Sequence, residues 1–285
     1  MKKLRLFILT LLAGTSSLWA RPLLTEEVKP IGFLNFEGGT TFSYRRDSFG
    51  NPVNTYETVN FPVQIKFGVH RKADAGINVS YLFHKLKMPN GELSGTSSAN
   101  IIPNFKYSPY EYFGVKFLWH MAQSETTSDE LPVARGDDFE FIQMFKIPVS
   151  FGAMHLNTGY LWRDTYQSRL GARTALKHKI EPGNIFESRA SWEIPALWNI
   201  NLLSELAYYA VSQEKLDGQS IPNSSGDALD VLLGLTWIYE GWNIGAGMAF
   251  GLGSENHTSF NLERGAGDWQ GLFHLSYKIS PQRPN

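Results

Sequence analysis

At 285 residues the chain is long for one soluble domain, but ordinary for a single barrel. It holds no cysteine, which excludes a disulfide framework, a lipid-modified N-terminal cysteine and a thiolate metal site. Hydrophobic residues reach only 42% although aromatics make up 14%, too little grease for a bundle of membrane helices. Strands whose every second side chain faces a polar lumen fit that balance.

The first residues read as an export signal. Lys2, Lys3 and Arg5 precede an apolar stretch at 6–12, and residues 16–20 form a polar end with Ala20 before the cut. Leu18 is larger than the small residue preferred there, so the cut is less sharply marked than the signal. The apolar run is too short to span a membrane as a helix, and no later stretch approaches the ~20 apolar residues a helix needs. Losing three leader cations takes the net charge from −1 to about −4, which argues against a nucleic-acid partner.

Period two dominates the chain after the leader. Phe61, Val63, Ile65, Phe67 and Val69 are all apolar, while Pro62, Gln64, Lys66, Gly68 and His70 between them are mostly polar. A strand points alternate side chains to opposite faces, so this run has one greasy face and one polar face. The split recurs at 77–84, 113–121, 228–237, 242–250 and 269–279. Weaker versions lie at 31–44, 99–107, 139–147, 151–162, 185–194 and 199–211, where Gln143 and Ser204 interrupt the greasy side. About twelve strands are predicted.

Long and short connections alternate. Polar linkers fall at 47–58, 87–97, 123–136, 163–183, 212–226 and 254–267; tight turns fall at 71–75, 108–111, 149–150, 195–198 and 240–241. Outer-membrane barrels place long loops outside and short turns in the periplasm. A periplasmic N-terminus requires the first connection to be long, and it is. A soluble β-sandwich has no need of six long connections at one end. Trp198, Trp242, Tyr107, Tyr110, Tyr112, Tyr239 and Tyr277 fall at one set of strand ends, and Trp119, Trp162, Tyr44 and Trp269 at the other, as two interfacial girdles require. Together these features predict an all-β chain: a transmembrane antiparallel up-and-down β-barrel.

The greasy faces carry almost no charge, as expected where a midplane Lys or Arg costs about 2–4 kcal/mol. The polar faces supply the candidate pore lining: Lys66, His70, Lys106, Lys116, His120, Glu140, His155, Glu187, Arg189, Glu205, Asp230 and His274. Glu187 with Arg189, and Glu205 nearby, form either an internal salt-bridge ladder or a charge constriction that selects solutes. The inward histidines are either ordinary wall residues or a titrating gate. Gly245-x-Gly247-x-x-x-Gly251 lacks the spacing and the helix of a nucleotide loop; small residues on an inward face instead leave room for a side chain or a loop folded into the lumen. Arg163, Arg169, Arg173, Lys177 and Lys179 make a basic loop, either simply solvated or touching lipopolysaccharide phosphates.

Several stretches resemble the family named for the MetA pathway of phenol degradation, a set of outer-membrane transporter barrels. They are Arg21-Pro22-Leu23-Leu24-Thr25-Glu26-Glu27 after the leader, Phe61-Pro62-Val63 through Gly68-Val69, then Ala73-Asp74-Ala75-Gly76-Ile77-Asn78-Val79, the strands at 230–240 and 241–251, and the closing Asp268-Trp269. The agreement is diffuse, covers most of the exported chain and contains no single diagnostic motif. It implies transport of small compounds, aromatic or hydrophobic ones among them, and carries over no substrate residue. The chain departs from such barrels by running past Tyr277 to Asn285 in place of a terminal aromatic, which either moves the assembly signal to Tyr277 or weakens it.

The expected organisation is a leader at 1–20, a periplasmic segment at 21–29 too short for a plug domain, a barrel at 30–280 and a tail at 281–285. The expected function is passive passage of a small solute across a bacterial outer membrane, with no catalytic residue, cofactor or metal. The expected partners are outer-membrane lipid and lipopolysaccharide, the barrel-assembly machinery and the solute, with no nucleic acid. Two other classes stay open: a closed barrel whose loops do the work, and a lipid-modifying enzyme. The enzyme needs a histidine beside an outward serine, and His70, His84, His120, His155 and His274 all fall in the inward phase.

Overall fold

The structure is a computed structural model and describes residues 23, 25–49, 53–96, 100–122, 136–169, 177–222, 224–255 and 268–280. The expected leader, the tail at 281–285 and much of the longest loops lie outside the described residues. The strands are β1 (Phe36–Phe49), β2 (Asn54–His70), β3 (Ala73–Met88), β4 (Gly91–Thr96), β5 (Asn100–Tyr110), β6 (Phe113–His120), β7 (Asp138–Val149), β8 (Gly152–Trp162), β9 (Tyr166–Arg169), β10 (Lys177–Glu181), β11 (Ile185–Pro195), β12 (Ile200–Val211), β13 (Lys215–Leu216), β14 (Gln219–Ser220), β15 (Gly226–Tyr239), β16 (Trp242–Glu255) and β17 (Trp269–Ile279).

Twelve of these form one antiparallel wall in the order β2-β1-β17-β16-β15-β12-β11-β8-β7-β6-β5-β3, and β2 pairs with β3 to close it. The expected barrel is therefore the observed fold. β4 extends β3 beyond the wall at the long-loop end, and β9, β10, β13 and β14 make a separate four-stranded sheet within the connections there. The sequence pattern misplaced some boundaries. The first strand begins at Phe36, not near residue 31, and β2 reaches back to Asn54, so most of the linker expected at 47–58 is strand. A membrane needs only about 9–11 tilted residues per strand. β2, with 17, continues into water, where Glu57 pairs with Lys87 at 2.7 Å.

Alternation sets the two faces. Phe61, Val63, Ile65 and Phe67 point outward and are exposed, while Lys66 between them is buried. On β6 and β7 the outward rings form a cross-strand ladder: Phe113 opposite Phe145, Phe117 opposite Phe141 and Trp119 opposite Phe139, with centroids 5.2, 4.9 and 6.2 Å apart. Such pairs stabilise a sheet by about 0.2–1 kcal/mol each. The turn between β15 and β16 is two residues long, and both Glu240 and Gly241 have positive φ (44° and 90°). That is the mirror-image turn whose twist matches the flanking strands.

Leu233 lies mid-strand on the outward face, 60% exposed. Leu233→Arg should lower unfolding stability in lipid vesicles by about 2–4 kcal/mol, measured by denaturant titration; a loss under about 1 kcal/mol would show that this face does not meet hydrocarbon.

Candidate functional site

Eight strands make an interior that wall side chains just fill; twelve leave space over. Here the chain fills part of that space with its own N-terminal segment. The described residues of the stretch expected in the periplasm, 23 and 25–29, lie inside the wall instead. Parity along the strands explains the difference, because it places buried charges inward where they need partners, and the segment supplies them.

The contacts run in order along the segment. The Leu23 N–H donates to Glu205 Oε1 at 2.6 Å, and the Thr25 N–H and hydroxyl both donate to Oε2 at 2.7 Å. Glu26 pairs with Lys116. The Lys106 ammonium donates to the carbonyls of Glu27 and Lys29 at 3.4 and 3.1 Å, and it also pairs with Asp74 at 3.5 Å. The Ser108 hydroxyl donates to the Val28 carbonyl, and the Ile31 N–H donates to Asp74 Oδ2 at 3.1 Å. Burial alone would raise the Glu26 carboxyl, but Lys116, with Lys66 and Lys106, outweighs it and holds the group well below its ordinary value of 4.5.

Two apolar knobs complete the docking. Leu23 packs on Leu203, Leu232, Ala249 and Leu272, and Val28 packs with Ile142, Met144 and Leu118. A Cβ at Gly245 or Gly247 would come within 2.7 or 2.9 Å of the Leu23 side chain, so these inward glycines do leave room for an element folded into the lumen. Gly68 is tighter still: a Cβ there would lie 1.7 Å from the Gly32 carbonyl oxygen, where the segment turns up into β1.

Toward the long-loop end the wall charges pair among themselves. Arg189 meets Glu187 at 2.6 Å and sits 5.7 Å from the centre of the Tyr209 ring. His120 Nε2 lies 2.9 Å from Glu140, Arg45 lies 3.8 Å from Asp47, and Arg163 lies 3.7 Å from Asp138.

Most of the predicted lining is where parity put it. Lys66, Lys106, Lys116, His155, Glu205 and His274 are inward in the short-turn half; His120, Glu140, Glu187, Arg189 and Asp230 are inward toward the long loops. His274 Nδ1 lies 3.0 Å from the Thr41 hydroxyl, and His155 lies 3.7 Å from Glu193. His70 is the exception. A register shift at the end of β2 leaves it exposed at the rim, accepting the Lys72 N–H at 3.1 Å. Glu205 holds the segment. Arg163 is buried against Asp138, so it leaves the basic loop tract. His178, in that tract, pairs with Asp217 at 2.7 Å.

Sequence reasoning missed Glu26, Asp74, Glu193, Arg45 and Asp47. Glu193 shares parity with Glu187, and Asp74 with Asn78, so both were within reach of the pattern. Arg45 and Asp47 lie beyond the residue where the first strand was expected to end.

Glu205 accepts three hydrogen bonds, each worth about 1.5–3 kcal/mol for a charged acceptor. Glu205→Ala should release the segment, read as protease cleavage near residues 23–31 with the barrel intact. The pH dependence follows from the depressed Glu26 carboxyl. Its share of docking stability is complete above about 4.5, the undocked value, and declines in stronger acid. Protease protection should therefore be flat from neutral pH to about 5 and fall below that; Glu26→Gln should remove the acid-dependent part.

No protein-family model and no curated protein sequence matches this chain. Solved structures do. The fold is similar to the COG4313 outer membrane channel from Pseudomonas putida F1, with a TM-score of 0.68 at 10% identity, covering 88% of this chain and 98% of that one. It is also similar to the beta domain of the Bordetella autotransporter BrkA, with a TM-score of 0.56 at 10% identity, covering 86% of this chain and 100% of that one. The translocator domain of the autotransporter NalP from Neisseria meningitidis matches at a TM-score of 0.56 and 12% identity, covering 86% of this chain and 88% of that one. At these identities the likeness is one of fold. The resemblance read from the sequence is borne out at that level: the chain has the closed β-barrel fold of bacterial outer-membrane proteins, an outer-membrane channel among them.

Proposed function

We propose that this protein is a passive channel of a bacterial outer membrane, carrying a small solute through a lumen narrowed by its own N-terminal segment. The observation that carries the reading is the kind of obstruction: one irregular stretch held by a few polar anchors, in a lumen lined with charges of both signs. A barrel serving only to hold its loops has no need of such a lining. A single stretch can shift while the wall stays whole, because no wall strand depends on it for pairing. Cofactor and energy input have no role in this mechanism; the solute follows its gradient.

The closed-lumen reading draws on the number of anchors at Glu205, Lys106 and Lys116. Planar-bilayer recording of refolded, heat-modifiable protein separates the two. The wild type should give small discrete conductance steps. A variant lacking residues 21–31 should conduct several-fold more, and ion preference should shift toward cations in Lys66→Glu, Lys116→Glu and Arg189→Glu. Silence from both the full chain and the shortened variant would sink the channel reading.

A further inference from the structure

Beside the N-terminal segment, against β1, β2, β5 and β17, lies a cavity of about 130 Å³. Pockets that hold drug-sized ligands run to about 300–1,000 Å³, and liquid water takes about 30 Å³ per molecule, so this space suits a solute of a few heavy atoms. Apart from Leu23 its lining is polar. Lys66 from β2 and Lys106 from β5 bring positive charge; Glu37 from β1 and Glu27 from the segment bring negative charge, and the carboxylate of Glu26, which also lines the space, is paired with Lys116. Glu37 and Lys66 stand directly opposite each other across the β1–β2 pairing, so the two signs are held side by side by the sheet register itself.

Each class of solute meets this lining differently. An apolar ring would strip water from charged groups and return no hydrogen bond. An ion of one sign is attracted by half the lining and repelled by the other half. A molecule carrying both signs can turn its anionic end toward the lysines and its cationic end toward the glutamates, so that neither end meets repulsion alone. We infer that the permeating solute is a small zwitterion of the size of the simplest amino acids, oriented in this cavity by Lys66 and Lys106 against Glu27 and Glu37. The inference rests on the channel reading, and it departs from the aromatic or hydrophobic solutes that the sequence resemblance implies.

The test is flux into vesicles carrying the full-length exported protein, corrected for leak through empty vesicles. Glycine is the zwitterionic probe and glycerol the neutral one of similar size. Glycine should enter at least about fivefold faster, and the ratio should fall toward one in the double variant Glu37→Gln with Lys66→Met, which removes one charge of each sign. Equal rates in the wild type, or a ratio that the double variant leaves unmoved, would overturn the inference and leave the channel standing. Entry of neither probe through folded, heat-modifiable protein would overturn the channel reading and the inference with it.

Discussion

Hydrocarbon offers a backbone no hydrogen bond, so a sheet that crosses a membrane must close on itself. In this chain the closing seam is the pairing of the first strand with the last, from Phe36 opposite Ile279 to Arg46 opposite Trp269. Much else depends on that seam. The first and last strands pair antiparallel in a wall that is antiparallel throughout, so the strand number is even and the connections alternate between two ends. With no edge left, each side chain in the wall faces either outside or lumen, and parity alone decides which.

Closure creates a second problem, inside. A twelve-strand wall encloses more than its side chains can fill, and its inward positions carry Glu205, Lys106, Lys116 and Asp74 out of bulk water. Buried charges without partners cost several kcal/mol each. Toward the long loops they pair within the wall, as Arg189 does with Glu187 along β11. Toward the short turns the partners come from the segment before β1, whose backbone serves as donor to Glu205 and as acceptor from Lys106. Leu23 and Val28 pack into two apolar patches of the inner wall. The same groups that satisfy the wall therefore narrow the passage, and the cavity that remains inherits lysines from the wall and glutamates from wall and segment.

What the sequence by itself determined is the side of each residue and the order of the strands. Period two reports which face a side chain takes, because hydrocarbon penalises charge on one face and tolerates it on the other. Lys66, Lys116, Glu187 and Asp230 were legible for that reason, and so were the short turn at 240–241 and the inward glycines 245 and 247. Even so, parity failed at His70, where a local register shift at the end of β2 turns the ring out to the rim.

Tertiary structure alone decided which inward charges meet. Glu205 and the segment are about 180 positions apart along the chain, and Lys116 lies 90 positions from Glu26. Parity gives the side of a residue but neither its height along the barrel nor its place around the circumference. The described residues at 25–30 are neither strand nor helix and carry no period to read; their path is set by where the closed wall leaves charges to satisfy and glycines to make room.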